Sequence, residues 1–235
     1  MKIRRIPMLP LPAALLFLAL AAPASAIDHD SGSWLIATAS DRFPSADGSA
    51  PSRWRYWLEV QARYPDVGSG DNQLLLRPGL GYVVNPDVSV YFGYARFRTH
   101  AARTTTEDRL WQHLNWRFMR WGDASLSMRF RLEQRDLSTG DDIGHVLRYR
   151  LRYDRKVAPD SDMNLIASIE PFFDLRDTDY GARQGLNQVR LYLGVSWPLT
   201  AKSGLEAGYQ NQFVNVRGGE DRMNHLAMLT FRTRF

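Results

Sequence analysis

The sequence contains no cysteine in its 235 residues. This absence excludes a disulfide framework, thiolate metal sites and a thiol nucleophile, and it excludes the lipid-bearing Cys that a lipoprotein needs after its signal peptide. The five histidines are scattered, without the close spacing that a metal site requires. We therefore expect neither a bound metal nor a cofactor.

Long hydrophobic runs are also missing, apart from ten apolar residues at positions 13–22. That stretch follows three Lys and Arg residues and precedes the small residues 24–26 (ASA). It is too short for a spanning helix, which needs roughly 20 residues, and the three features together are typical of a secretory signal peptide over residues 1–26. Removing this peptide lowers the formal net charge from +5 to +2, which argues against a nucleic-acid partner.

After the leader, hydrophobic and polar residues alternate with a period of two in about ten segments, which are separated by turn-forming clusters. In residues 54–64, for example, Leu58 and Val60 share one face, while Glu59 and Gln61 share the other. This alternation predicts β-strands with one apolar and one polar face. No segment approaches the length of a transmembrane helix, so the sequence excludes a helical membrane protein.

Aromatic residues indicate what the apolar faces contact. The sequence has 7 Trp, 10 Tyr and 11 Phe, and Trp or Tyr recurs near the ends of the apolar faces. An apolar band bordered by aromatic residues, around a polar interior, is typical of a transmembrane β-barrel in the bacterial outer membrane. Short connections alternate with longer polar ones, as periplasmic turns alternate with external loops in such barrels. The sequence therefore predicts an all-β fold, a closed antiparallel transmembrane β-barrel that reaches the outer membrane after export to the periplasm.

The number of strands follows from counting the alternating segments. Ten fall within residues 54–235, and ten meets the expectation of an even number. Residues 27–53 form an N-terminal segment with one further strand-like stretch, residues 33–39 (SWLIATA). Either this stretch caps or enters the lumen, or it belongs to a twelve-strand barrel. We expect about ten strands, with twelve as the alternative.

Six features of the sequence occur together in a distinctive order and spacing. They are Trp34 and residues 106–112 (TEDRLWQ), 129–135 (RFRLEQR), 147–153 (LRYRLRY), 185–192 (GLNQVRLY) and 205–212 (LEAGYQNQ). Through them the chain resembles the bacterial family catalogued as domain of unknown function 2490, over roughly residues 33–235. The resemblance implies an outer-membrane barrel whose biochemical role is unassigned, and it supplies no catalytic residues.

Residues that could support catalysis are few. Outer-membrane lipid hydrolases resemble one another in a His-x-Ser pair on a strand, and such a triplet occurs here only at residues 29–31 (HDS). A protease of the aspartate and histidine type would need carboxylates and a histidine at the external mouth. The candidates for that role are Asp141, Asp142, His145, Asp177 and Asp179. Acidic loops are more often solvated surface, so we expect no enzymatic activity and keep a surface hydrolase or protease as the third hypothesis.

Arginines form a ladder on the polar faces of neighbouring strands, with three acidic residues among them. The ladder consists of Arg129, Arg131, Glu133, Arg135, Arg148, Arg150, Arg152, Glu170 and Asp174. Paired charges that fill a narrow lumen and fix the strand register would give a structural or interaction module, which is the function that we expect. The alternative is a narrow channel that prefers anions, since rings of Arg or Lys favour anionic solutes.

The last strand of the sequence ends on aromatic residues. Phe231 and Phe235 share a face with Leu229, and bacterial barrels resemble one another in ending on an aromatic residue that their assembly machinery recognises. We therefore expect Phe231 and Phe235 to act as an assembly signal. The expected partners are this assembly machinery, outer-membrane lipid and lipopolysaccharide, and we expect the protein to be a monomer.

Overall fold

The computed structural model describes residues 27–44, 51–66 and 68–234, and within them eleven β-strands close into a barrel. The strands are β1 (Ile27–Ala39), β2 (Trp54–Tyr64), β3 (Asn72–Asn85), β4 (Val88–His100), β5 (Thr105–Trp121), β6 (Ala124–Leu137), β7 (Ile143–Lys156), β8 (Asn164–Asp174), β9 (Gly185–Pro198), β10 (Ser203–Val214) and β11 (Asp221–Thr233). The signal peptide predicted over residues 1–26 lies outside the described residues. Among the residues that are described, no helix is long and apolar enough to cross a membrane.

The strands follow one another around the barrel in chain order, and β1 closes the sheet. Every pair of strands consecutive in the chain is antiparallel. The exception in direction is the closing pair, because β1 runs parallel to β11 from the pairing of Ile27 with Asp221 to that of Ala39 with Thr233. An odd number of alternating strands requires this, since the first and last strands then point the same way.

The predicted counts of ten and twelve strands are therefore wrong, and the sheet is not antiparallel throughout. Residues 33–39, which the sequence left open as a plug or a strand, belong to barrel strand β1. Trp34 is buried inside the barrel, while its neighbour Leu35 is exposed on the outside. A parallel pair is only slightly less stable per residue than an antiparallel pair. An odd number of strands can therefore close without leaving an unpaired edge.

The connections lie at two opposite ends of the barrel. We call the end reached after β1, β3, β5, β7 and β9 the turn end, and the other the loop end. Two connections at the turn end are two-residue turns. In the first, the Asn85 Oδ1 accepts hydrogen bonds from the backbone N–H of Asp87 and Val88, both at 2.9 Å. In the second, Gly122 adopts a φ of +50°, which a tight hairpin turn requires.

The alternation along each strand separates an apolar outer face from a polar inner face. On β2, Leu58 and Val60 point outward and are exposed, whereas Glu59 and Gln61 point inward and are buried. Among the described residues, eighteen buried side chains are polar or charged and eleven are hydrophobic. This is the reverse of the usual distribution in water-soluble proteins. The core of the fold is thus a charged lumen.

The parallel seam can be tested by crosslinking, because the chain has no cysteine of its own. Leu35 of β1 lies opposite Leu229 of β11, and both side chains are exposed on the outer face. In the double variant Leu35→Cys with Leu229→Cys, we expect an intramolecular disulfide after mild oxidation. A shift in gel mobility that reduction reverses would measure it.

The matched control for this crosslink is Ala62→Cys with Leu229→Cys. Ala62 on β2 lies opposite Leu35, so it is one strand farther from β11. Two strand spacings put the Cα atoms roughly 9–10 Å apart, which is beyond the reach of a disulfide. A crosslink in this control but not in the first pair would mean that β2 and β11 are neighbours, as in a ten-strand barrel.

Candidate functional site

Glu133 on β6 lies at the centre of the charged lumen. Its side chain is fully buried, and its carboxylate oxygens lie 2.7 Å from Arg148 Nη1 and 2.6 Å from Arg135 Nη2. Three more guanidinium groups come within 3.8 Å of it, those of Arg77, Arg109 and Arg131. One negative charge therefore connects side chains from four strands, β3, β5, β6 and β7.

Glu170 on β8 is a second buried carboxylate in the lumen. It accepts hydrogen bonds from Arg129 Nη2 at 2.6 Å and from Arg148 Nη2 at 3.0 Å. Arg148 therefore bridges Glu133 and Glu170, and its guanidinium lies 4.1 Å from the ring centroid of Phe172. Arg148 on β7 therefore links β6 and β8 through hydrogen bonds to both carboxylates. These bonds are charge-assisted and thus roughly twice as strong as neutral ones.

The nine residues of the predicted ladder face the lumen, but they do not form one network. Six meet around the two buried carboxylates: Arg129, Arg131, Glu133, Arg135, Arg148 and Glu170. Arg152 lies nearer the turn end, 2.8 Å from Asp154 and 3.0 Å from Glu206. Asp174 accepts a hydrogen bond from Asn187 at 2.7 Å. Neither Asp174 nor Arg150 has an ion-pair partner within 4 Å in the described part of the chain.

Sequence reasoning missed the acidic partners that other strands contribute. They are Glu59 on β2, Glu107 on β5 and Glu206 on β10. Each lies 2.7 Å from a guanidinium nitrogen, respectively of Arg77, Arg109 and Arg232. The alternation already placed Glu59 and Glu206 on the inner face, whereas Glu107 lies in a stretch that the sequence predicted as a loop and that belongs to β5. The alternation could not show which side chains meet, because that depends on how the sheet closes.

Aromatic rings fill the lumen beside the charges, and glycines make room for them. The Trp111 side chain on β5 is fully buried. A Cβ atom on Gly79 or Gly93, on the two preceding strands, would lie 2.5–2.7 Å from its indole ring. The ring of Tyr91 likewise occupies the space that a side chain at Gly81 would need. Glycine is required at these positions because aromatic rings approach the backbone closely, not because the backbone turns there.

A cavity of about 1330 Å³ occupies the turn-end part of the lumen. At its mouth it is bordered by residues of the turns, such as Pro86 and Lys202, and it extends inward to Arg131 and Arg148. Its lining contains sixteen Arg and Lys residues but seven Asp and Glu residues. None of the described residues in the loop-end connections lines it, and side chains on its loop-end side, those of Leu75, Glu133, Phe172 and Leu226, are at most 3% exposed. The cavity is thus a positively charged vestibule that ends inside the barrel, which we call the turn-end cavity.

Three of the four acidic residues proposed for proteolysis hold two loops together at the loop end, whereas Asp177 accepts a hydrogen bond from the backbone N–H of Gln184 in its own loop, at 2.7 Å. The Asp179 carboxylate accepts hydrogen bonds from the backbone N–H of Asp141 and Asp142, at 2.7 and 3.2 Å, and Asp142 accepts one from the N–H of Asp179 at 2.9 Å. The bond from Asp141 above all holds the pKa of Asp179 below its ordinary value, so this carboxylate stays ionised. None of these bonds involves His145. Within the described residues, no group of three or more His, Cys, Asp or Glu side chains is placed to hold a metal ion.

Two other residues singled out in the sequence lie on the outer face. His29, from the His-x-Ser triplet, has its Nδ1 at 3.0 Å from the Nε2 of His225, across the seam between β1 and β11. Phe231 is exposed on β11 opposite Leu205 of β10. Phe235, the other half of the predicted assembly signal, lies outside the described residues.

Comparison with known proteins finds similarity over most of the chain. A family model described as "Protein of unknown function (DUF2490)" matches residues 31–224. An uncharacterized protein of Methylorubrum extorquens is 34% identical over 183 residues, which are 77% of this chain and 80% of that protein. Among solved structures, the fold is similar to the outer-membrane expressed OmpT of Vibrio cholerae, with a TM-score of 0.39 and 16% identity over 68% of this chain and 55% of that one.

Replacing Glu133 by Gln should destabilise the barrel. The change removes the negative charge that faces five arginines, four of them buried, and breaking a buried pair in this way costs on the order of 3–5 kcal/mol of unfolding free energy. Urea titration of the refolded protein, followed by tryptophan fluorescence, measures the loss. The matched control is Asp154→Asn, because that carboxylate is 30% exposed beside Arg152 and should cost below about 1 kcal/mol. Equal losses in the two variants would contradict the central role of Glu133.

Proposed function

The chain belongs to the family described as proteins of unknown function (DUF2490), and from this premise we propose that it is an integral barrel of the bacterial outer membrane. We propose further that it has a structural or interaction role and no enzymatic activity. The observation that carries the proposal is the distribution of side chains, which is the reverse of that in water-soluble proteins: charged side chains are inside the barrel and hydrophobic side chains are outside.

The outer face supports contact with lipid on every strand. Each of the eleven strands carries at least one large hydrophobic side chain that is exposed; one from each strand in order is Leu35, Leu58, Leu76, Phe92, Leu110, Phe130, Ile143, Ile169, Leu193, Tyr209 and Leu229. Monomeric proteins in water rarely expose a continuous apolar surface of this extent. Closure of the sheet adds to this support, because strands in lipid must satisfy all their backbone hydrogen bonds with each other.

Aromatic side chains near the turn end support an orientation in the membrane. Pairs of rings pack there with centroids 5.3–5.9 Å apart: Trp54 with Tyr82, Trp116 with Phe118, and Trp121 with Tyr153. Such aromatic girdles lie where an apolar band meets the membrane interface. Since bacterial barrels have short periplasmic turns, the turn end faces the periplasm and the loop end faces outward in this proposal. Lipopolysaccharide would then surround the loop-end half, and Phe231 on the last strand would form the assembly signal together with Phe235.

A structural role is favoured over a channel because packed side chains close the lumen on the loop-end side of the turn-end cavity. The excess of Arg and Lys along the cavity wall is the observation that keeps the anion-preferring channel as the second candidate. In planar bilayers, we expect the refolded protein to give no conductance above baseline. Steady conductance that favours chloride over potassium would instead support the channel.

Exchanging an outward leucine for arginine tests the membrane assignment. Leu193 on β9 is 56% exposed and lies opposite Ala167 and Tyr209 on the adjacent strands. In lipid vesicles, Leu193→Arg should lower the unfolding free energy by about 2–4 kcal/mol, because a charge near the bilayer midplane is costly. Urea unfolding of the refolded protein measures this.

The matched control is Ser196→Arg on the same strand, because Ser196 lines the turn-end cavity and the new charge would meet water. Its cost should be smaller than that of Leu193→Arg. If Leu193 faced water, its replacement would change stability by no more than about 0.5 kcal/mol, as surface substitutions do. That result, together with recovery of the native protein from the soluble periplasmic fraction, would reject the proposal.

A further inference from the structure

The arginines of the turn-end cavity are not all neutralised by the protein. Arg63, Arg150 and Arg190 line this cavity, and none has a carboxylate within 4 Å among the described residues. Arg63 donates to the neutral Gln61 Oε1 at 2.5 and 2.8 Å. When the side-chain amide of Gln188 is oriented with its oxygen toward Arg190, that oxygen accepts hydrogen bonds from Arg190 Nε at 2.6 Å and Nη2 at 2.8 Å. These amides satisfy hydrogen bonds but leave the positive charges uncompensated.

At the inner end of the cavity, buried guanidinium donors have no acceptor. The Arg131 side chain is 1% exposed, and its Nε and Nη1 atoms have no hydrogen-bond partner. The Nη1 atom is 3.7 Å from Glu133, which is too long for a hydrogen bond. The buried Nε of Arg150 also lacks a partner. Buried charged donors without an acceptor are costly, and a negative group bound in the cavity would offset the positive charge of these side chains.

Aromatic rings fix the orientation of two of these arginines. The guanidinium carbon of Arg63 lies 3.9 Å from the ring centroid of Trp34, and that of Arg190 lies 4.7 Å from it. Arg190 also lies 4.5 Å from the Phe172 ring. A guanidinium that rests on a ring keeps the donors along its edge available. Each of the two groups is thus held in place before any ligand arrives.

We propose that the turn-end cavity binds a small organic anion with more than one negative charge, of the phosphate or carboxylate type. Arg63 and Arg190, which lie against Trp34, and Arg150 supply the positive charges that face the negative groups of this anion. The planar fork of arginine matches phosphate and carboxylate oxygens in pairs. A volume of about 1330 Å³ exceeds the usual range for small-molecule pockets, so it has room for an organic body as well as the charged groups.

The blind inner end makes this a binding site rather than a route through the barrel. Entry is from the turn end alone, because Leu75, Glu133, Phe172 and Leu226 close the other side. Binding of the anion by the cavity does not depend on the proposed function. The origin of the anion in the periplasm does rest on it.

The test uses the full mature chain refolded in detergent, with pyrophosphate and citrate as the phosphate and carboxylate probes. We expect at least one of them to raise the unfolding temperature in a saturable way, at constant ionic strength set with sodium chloride. The tryptophan fluorescence, to which the buried Trp34 contributes, should change along the same titration curve. Spermidine, a polycation of similar size, should do neither.

Variants separate a ligand-binding role from a structural one. Arg150→Gln and Arg190→Gln should each weaken binding at least about tenfold, because each removes a charge-assisted hydrogen bond. Without ligand, Arg150→Gln should leave the unfolding temperature unchanged or raised, since it removes an uncompensated positive charge. The matched control is Arg176→Gln at the loop end, where Arg176 pairs with Asp142 at 3.3 Å, and it should bind the probe as the native protein does.

Three results would overturn this inference. The first is an effect of both probes no larger than that of sodium chloride at equal ionic strength. The second is equal affinity in Arg190→Gln and Arg176→Gln. The third is efflux of pyrophosphate trapped inside vesicles that carry the protein, since a blind cavity cannot release it. None of these results counts against contact between Leu193 and lipid, so failure here is distinguishable from failure of the membrane assignment.

Discussion

The interior of this barrel depends on the contact between Glu133 and the arginines around it. An eight-stranded barrel is just wide enough for side chains to fill, so eleven strands enclose a lumen that aliphatic side chains cannot span. Arginine has a long stem and a planar head with five donors, and it can reach a carboxylate on another strand. Glu133 and Glu170 give Arg148 two such carboxylates. The network therefore sets the register of β6, β7 and β8 while it fills space.

Closure of the sheet is the second constraint, and it depends on β1. Without the parallel pairing of β1 with β11, two strand edges would be exposed, and exposed edges recruit other strands. β1 also brings Trp34 into the lumen, where Arg63 and Arg190 rest on its ring. The strand that completes the wall thus also orients two uncompensated charges in the turn-end cavity.

Much of the fold could be predicted from the sequence, because the alternation of residues such as Leu58 and Glu59 reports which face each side chain takes. The same alternation placed Arg129, Glu133 and Glu170 in the lumen. The strand number could not be predicted this way, since an expected even count excluded β1 although its pattern was visible. Partners such as Glu59 and Glu206 were not identified, because contacts across a lumen depend on closure and stagger, which no single strand encodes.

Charge filling and anion binding need not be competing explanations of the same arginines. Near Glu133, carboxylates lie within 3.0 Å of Arg135 and Arg148. Along the wall of the turn-end cavity, Arg63, Arg150 and Arg190 have no acidic partner among the described residues. The cavity wall carries more than twice as many basic as acidic side chains, so its acidic residues cannot pair one to one with all of its basic residues. The presence of an acidic partner therefore decides the role of an arginine: the paired arginines fix the fold, and the unpaired ones leave positive charge for a ligand.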